Sequence, residues 1–471
     1  MRVSAAMTAE RILPRRLAVR ARPYLETFDA LAFGKDERSH AARMSMTAFA
    51  VRIASAAIAF ASQVFLARWM GGFEYGVFVL VWTAILILGN LSCLGFHTSI
   101  IRFIPEYRSQ SRHGELRGVL LASKLIVLLA STVIAIAGAF LIHTLSDRIE
   151  SHHVVPFLLG MICLPMMALS DLMQGVARGH AWPFNAMLPT YIMRPLLIIA
   201  VMVAAVVAGA PATAETGMYA AIAAVYVTTL FQLLTVSNRA ERLAEPVKRV
   251  FFVRGWIVVS LPVFLIEGFI YIVTNADVLV VGFFLEPTDV AVYFATVKTL
   301  ALVHFVYFAV KAGAAQRFSS LVHGKQMEEL SVFARDTVRW TFWPTLAMAV
   351  LLLMVGEPLL WLFGTEFTAG YPLLFVLVAG VLARSTVGPA ESLLTMSGYQ
   401  NVCALVFALV LALNVGLSCL LIPAYGLWGA AFATALAMMC EAAMLAFTVR
   451  RKLGIDMWMG AGAPVAKEAS W

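Results

Sequence analysis

Five basic side chains, Arg52, Lys124, Arg194, Lys298 and Arg384, fall inside stretches that are otherwise long and apolar. A charged group facing lipid is costly enough that such residues usually turn toward a bundle interior or a wet cavity. Lys124 lies near the end of its stretch, where its stem can carry the ammonium to the interface, and Arg52, about two turns in, can do the same. Arg194 and Arg384 lie too near mid-depth for that escape. A guanidinium presents a planar fork of donors that matches phosphate and pyrophosphate, so basic groups converging at mid-membrane point to an anionic substrate. Arg52, Arg194, Arg384 and Lys298 form that candidate set.

Acidic groups accompany them. Helical spacing puts Arg52, Ser55, Ala59 and Gln63 on one face of the first stretch, and Arg384, Gly388, Glu391 and Thr395 on one face of the tenth. In the seventh, Glu267, Tyr271 and Thr274 share a face with Asp277 on its flank. Two readings stay open: the lining of a polar cavity, or structural ion pairs within a packed bundle. Asp277 and Lys298 lie at nearly equal depth on successive stretches, which favours a structural pair, since an unpaired charge there is the costly state. Glu267 has no partner nearby in sequence and is the better candidate for proton or cation coupling. Asp277 and Glu391 complete the set of coupling or ion-pair carboxylates.

Other chemistries find no motif. The sequence has no Gly-rich loop ending in Lys-Ser/Thr, no His-Glu-x-x-His, no paired Cys-x-x-Cys and no Gly-x-Ser-x-Gly elbow. Neither an enzyme, a cofactor nor a metal is expected. His152 and His153 read as a solvated pair in an outer loop. The cysteines, Cys93, Cys163, Cys403, Cys419 and Cys440, all lie in apolar stretches, where they read as small core residues.

The elements that position these residues follow from composition. Of 471 residues, 61% are hydrophobic and 13% charged, and the mean hydropathy is +0.85. Twelve apolar stretches long enough to cross a bilayer run over about 44–67, 76–100, 119–143, 154–177, 184–209, 217–237, 255–283, 290–310, 340–363, 371–395, 402–423 and 427–449. They are too continuously apolar for barrel strands, so an all-α integral membrane bundle is expected. Of the 35 Lys and Arg residues, 28 fall in the termini and alternate connections and two in the opposite set. Positive loops stay inside, so both termini are expected in the cytoplasm and the number of spans is even. The net charge of +8 is thereby explained by orientation and anionic lipid rather than by nucleic acid. The first 43 residues carry nine Lys or Arg without the apolar run of a signal peptide and read as a basic cytoplasmic tail.

The basic linker 238–254 divides the chain into an N-lobe, 44–237, and a C-lobe, 255–450, followed by a cytoplasmic tail, 451–471. A second long basic inner connection is expected over 311–339, whereas the outer connections are short. A faint repeat at an offset of 215 residues aligns Gly72 to Phe78 with Pro287 to Tyr293. With six spans in each half, the repeat would be parallel, about an axis along the membrane normal.

Four segments carry a family resemblance: Leu66-Ala67-Arg68-Trp69-Met70-Gly71-Gly72-Phe73-Glu74-Tyr75-Gly76; Asp277-Val278-Leu279-Val280-Val281-Gly282 leading to Val290-Ala291-Val292-Tyr293; Leu362-Phe363-Gly364-Thr365-Glu366-Phe367; and Asn414 followed by Leu421-Ile422-Pro423-Ala424-Tyr425-Gly426-Leu427-Trp428-Gly429-Ala430-Ala431. In this order, over about 44–450, the chain resembles the polysaccharide biosynthesis and O-antigen flippases of the multidrug/oligosaccharidyl-lipid/polysaccharide exporter superfamily. The resemblance implies twelve helices in two six-helix lobes and a bacterial inner-membrane flippase. Its substrate would be an undecaprenyl-diphosphate-linked oligosaccharide of O-antigen, capsule or exopolysaccharide, moved to the outer leaflet by alternating access. Membrane lipids, a polysaccharide polymerase and glycosyltransferases would be partners. Arg52 matches in kind the cavity residues that engage pyrophosphate in such relatives; Arg194 and Arg384 are carried over by depth and helix face alone. Two alternatives are a cation-coupled multidrug extruder and a non-transporting scaffold for glycan assembly.

Overall fold

The structure is a computed structural model that describes residues 37–148, 150–243, 245–324 and 326–460, with side chains described from residue 54 onward save those of 148, 312 and 316. The chain divides into a short unit, Met1–Ala59, and a large compact unit, Phe60–Trp471. Among the described residues every element is helical. In chain order they are α1 Glu37–Ser92, α2 Phe96–Ser109, α3 His113–Thr144, α4 Ser151–Gly179, α5 Pro183–Leu188, α6 Arg194–Val207, α7 Ala214–Gln232, α8 Asn238–Leu243, α9 Val253–Phe284, α10 Pro287–His323, α11 Met327–Trp361, α12 Tyr371–Ser385, α13 Ala390–Met396, α14 Gln400–Tyr425 and α15 Leu427–Leu453.

Eleven of the described helical segments are long and apolar enough to cross a membrane. The first, Ala54–Ser109, runs for 56 residues where about 20 suffice for a crossing. Gly71, at φ 74° and ψ 168°, breaks it where the first and second spans were expected to meet. Counting the two arms as separate crossings is what the sequence expectation of twelve requires.

Three corrections to the expected elements bear on function. The long inner loop expected over 311–339 is instead helix: α10 continues to His323 and α11 begins at Met327, so Lys311 stands on a helix rather than in a loop. The fifth span is interrupted by a π-helical turn, Pro189–Met193, which ends at Arg194. The tenth span is broken between Ser385 and Ala390, where Gly388 takes φ 56° and Pro389 follows. Proline lacks the N–H a continuing helix would need, and the left-handed glycine redirects the chain. Arg384 and Glu391 therefore do not share one continuous helical face.

Packing is uneven along the helix axes. At the end that bears connections 68–75 and 364–370, which the charge pattern assigns to the outside, one core draws residues from both halves: Leu66, Tyr75, Phe78, Met167 and Met218 with Val281, Tyr293, Leu360, Phe367 and Ile422. At the opposite end the core splits. One cluster, with Phe96, Ile104, Leu116, Leu172 and Val236, belongs to the first half and extends to Trp256. The other, with Phe318, Leu330, Leu394, Phe407 and Leu445, belongs to the second. Helix α9 joins both. Its Trp256, expected in the second lobe, packs in the first and donates through Nε1 to the Tyr107 hydroxyl at 2.8 Å, while its Phe269, Ile270 and Val273 pack against the second cluster.

Candidate functional site

The seam at the end bearing connections 68–75 and 364–370, the outer end by the charge pattern, is assembled from the segments whose sequence pattern is most distinctive. Arg68 donates from Nε to the Leu362 carbonyl at 2.7 Å and from Nη2 to the Trp361 carbonyl at 2.8 Å, with its guanidinium 4.9 Å from the Trp361 ring centroid. Those carbonyls end α11, where backbone acceptors lack helical partners and a cation is favoured. Tyr75 is fully buried, edge-on to Phe294 and Phe367, and its hydroxyl donates to Gln63 Oε1 at 2.9 Å. Gly76 meets the next half directly: a Cβ there would lie 1.7 Å from the Pro287 carbonyl oxygen. Glu74 accepts from the Ala214 N–H at 2.7 Å and so caps the start of α7. These contacts tie α1 to α10, to α11 and, through Glu74, to α7.

Below the seam, the second half holds a closed ionic network. Arg384 on α12 donates from Nε to Glu441 Oε1 at 2.6 Å and from Nη2 to Glu391 Oε2 at 2.8 Å. Its Nη1 reaches the Gly388 carbonyl at 3.1 Å, and Nη2 also lies 3.2 Å from the Tyr307 hydroxyl. Lys311 Nζ lies 3.0 Å from Glu391 Oε1, and the Tyr307 hydroxyl donates to the same oxygen. The five groups come from four elements: Tyr307 and Lys311 lie one turn apart on α10, Arg384 and Glu391 flank the break at Gly388 on α12 and α13, and Glu441 is on α15. Two cations stand against two carboxylates, and every nitrogen of Arg384 is engaged by protein acceptors.

The first half is built differently. The π-turn places Arg194 at the start of α6, only 4% exposed. It donates from Nη2 to Ser170 Oγ at 2.7 Å and approaches Met167 Sδ with Nη1 at 3.1 Å, while its buried Nε has no partner. Ser170 passes its own proton to Gln232 Oε1 at 2.7 Å, and the buried Gln232 Nε2 is likewise without a partner. Asp171 lies within electrostatic reach of Arg194 but forms no ion pair with it among the described residues. Two donors are thus buried and unspent on neighbouring helices. Desolvated donors without acceptors are expensive, so an acceptor brought to them would be favourable.

The remaining expected residues separate into distinct settings. Asp277 is buried and accepts from the Val278 N–H at 2.9 Å and the Tyr293 hydroxyl at 3.1 Å; Tyr293 also lies 3.1 Å from Thr434 Oγ1. Lys298 sits over the Phe294 ring at 4.8 Å, within electrostatic reach of Asp277 but not hydrogen bonded to it. The pair expected from depth alone is therefore a looser association through Tyr293 and Phe294. Glu267 is within electrostatic reach of Lys311 from the second half and of Arg178 from the first. Lys124 makes an ion pair with Glu241 at 2.8 Å and bonds Ser237 Oγ at 2.8 Å, where snorkelling to the interface was expected. The Arg52 side chain lies outside the described residues.

Sequence reasoning missed Ser170, Asp171, Tyr307, Lys311, Gln232 and Glu441. Asp171 and Glu441 were visible as acids within apolar stretches, a signal that attention to basic residues alone passes over. Lys311 was hidden by the expectation of a loop. Ser170 and Gln232 carry no pattern of their own and become evident only when α4 and α7 are packed together.

At the inner end of the first half, His180 is buried and stacked on Trp182 with ring centroids 4.6 Å apart, and Arg239 lies over the same indole at 4.3 Å. Burial, helped by Arg108 and Arg239, pushes the His180 imidazole down from 6.5 to about 4.

Comparison with known proteins follows the geometry. A family model described as "Polysaccharide biosynthesis protein" matches residues 43–315, more than half of the chain. No curated protein matches the sequence significantly. Among solved structures, an inward-facing multidrug resistance MATE family transporter of the MOP superfamily superposes with a TM-score of 0.71 at 15% identity, covering 85% of this chain and 94% of that one. The lipid II flippase MurJ in an inward closed conformation gives 0.67 at 15% identity, covering 86% and 87%. A MOP superfamily transporter from Pyrococcus furiosus, described as having a binding pocket of reverse polarity, gives 0.59 at 15% identity, covering 87% and 93%. The helical bundle is thus the fold of these transporters, and with the family model spanning most of its first half and beyond, the chain belongs to the polysaccharide biosynthesis protein family.

Proposed function

We propose that the protein is a flippase that moves an undecaprenyl-diphosphate-linked oligosaccharide from the cytoplasmic to the outer leaflet of the bacterial inner membrane by alternating access. The observation that carries this reading is Arg194: a buried guanidinium that binds no carboxylate among the described residues and whose Nε–H is unspent, beside the unspent Gln232 Nε2. A pyrophosphate supplies the acceptors these donors lack, and the fork geometry suits it. Arg52 is retained as a second phosphate ligand on the first helix. Arg384 changes role: held by Glu391 and Glu441, it positions α12 against α13 and α15 rather than binding substrate. Lys298 supports the seam from its place over Phe294.

The lobes 44–237 and 255–450 are the moving bodies in this reading. The core shared at the outer end and split at the inner end suits a cytoplasm-open state, with α9 as the element that spans the cleft. Glu267, within electrostatic reach of Arg178 and Lys311, is the candidate coupling group, and Asp277 the structural one. Both termini are assigned to the cytoplasm by the charge pattern.

The neutralised ionic network of the second half favours one competing reading, a cation-coupled drug extruder, because Glu391 and Glu441 could exchange Arg384 for a cation. A deletion strain separates the two. Loss of surface glycan rescued by the wild-type gene but not by Arg194→Lys, with unchanged drug sensitivity, supports the flippase. Drug hypersensitivity with intact glycan contradicts it.

A further inference from the structure

At the outer end, Glu150, His152 and His153 begin α4, and one ligand atom from each lies within 4.8 Å of the other two. The Glu150 Oε2 atom is 3.1 Å from His152 Nε2 and 3.7 Å from His153 Nδ1. Zinc bonds to imidazole nitrogen at about 2.0–2.1 Å and to carboxylate oxygen at about 2.0–2.2 Å, so adjacent ligands of a tetrahedral site stand about 3.4 Å apart. The two observed separations bracket that edge. The imidazoles are held in place by packing: the His152 ring lies 4.9 Å from the Phe73 ring and 4.2 Å from the His153 ring, and His153 in turn lies 6.2 Å from Phe157. The His153 side chain is largely buried, and it is Nδ1 that faces Glu150.

We propose that Glu150, His152 and His153 form a binding site for a first-row transition-metal dication of the zinc class, completed by water. Two nitrogens and one oxygen suit zinc, copper or nickel and disfavour magnesium and calcium, which take all-oxygen shells. The site also touches the seam. Phe73 belongs to the segment that closes the outer end, so a bound cation fixes the ring against which that segment packs. The proposal stands independently of the transported substrate.

The test is titration of the tag-free full-length protein in detergent with zinc chloride, followed by isothermal calorimetry. One equivalent per chain is expected, with binding unaffected by millimolar magnesium or calcium. Glu150→Gln and His152→Ala, both at the surface end of the cluster, should each weaken binding at least about tenfold while leaving the size-exclusion profile unchanged. Loading with copper(II) should give an electron paramagnetic resonance spectrum with two nitrogen ligands, reduced to one in His152→Ala. Zinc affinity unchanged in both variants, or a copper spectrum without nitrogen splitting, overturns the proposal.

Discussion

Arg384 and Glu391 stand seven positions apart in sequence and meet at 2.8 Å, not along a helix but across the break that Gly388 and Pro389 introduce between α12 and α13. With Glu441 on α15 at 2.6 Å from Arg384 and Lys311 on α10 at 3.0 Å from Glu391, the charge cluster joins four helices, α10, α12, α13 and α15. Removing one member of a buried pair leaves the other uncompensated at a cost of about 3–5 kcal/mol, whereas neutralising both costs less. Arg384→Met is therefore expected to lower the unfolding temperature in detergent strongly, and Arg384→Met combined with Glu441→Gln to recover part of the loss. A double variant no more stable than Arg384→Met would refute the pairing.

Arg68 closes the outer seam through two carbonyls at the end of α11. The bonds are exposed, so their loss is worth about 1 kcal/mol, roughly a fivefold shift between closed and open populations. Spin labels at Trp69 and Thr365, with Cys419 replaced, should report a larger long-distance population by pulsed electron resonance in Arg68→Ala. An identical distance distribution would remove Arg68 from the gate.

Gly76 leaves no room for a side chain against Pro287. Gly76→Val should hold the same seam apart, giving a long distance between those labels and loss of transport with normal insertion in the membrane. A closed seam in that variant would contradict the close approach of α1 and α10.

His180 makes the inner end of the first half acid-sensitive. Its folded value near 4 lies below the ordinary 6.5, so the unfolded chain binds the proton more readily between these values. Stability from this group is complete above about pH 6.5 and is lost as pH falls toward about 4. Quenching of Trp182, stacked on the imidazole, or thermal unfolding between pH 7 and pH 4.5 should show a drop that His180→Gln reduces. Equal drops in the two proteins would assign the acid sensitivity elsewhere.

The helical membrane bundle was legible because it rests on physics that needs no partner: continuous apolar runs of crossing length. Segment 66–76 was legible as a distinctive pattern, and its packing gives the physical reason, since Gly76 and Tyr75 have no alternative at a seam this tight. The charge sites were legible only as a list. Arg194 and Arg384 look alike in sequence, each a lone arginine in an apolar stretch. What separates them is tertiary: Glu441 arrives 57 residues later on α15 to satisfy one, while α4 and α7 bring the other a serine and a glutamine. Helical periodicity also misled at Gly388, because a single left-handed residue cancels the face that spacing implies.

The account turns on transport of a pyrophosphate-linked lipid through a site that contains Arg194. The direct measurement is translocation of a fluorescent undecaprenyl-diphosphate oligosaccharide across vesicles that contain this protein alone, read as protection from an added membrane-impermeant glycosidase. Wild-type protein should move the lipid between leaflets, and Arg194→Lys, inserted equally well, should move it at least about tenfold more slowly because an ammonium cannot present the bidentate fork. No translocation by correctly inserted wild-type protein, or equal rates with Arg194→Lys, would contradict the account.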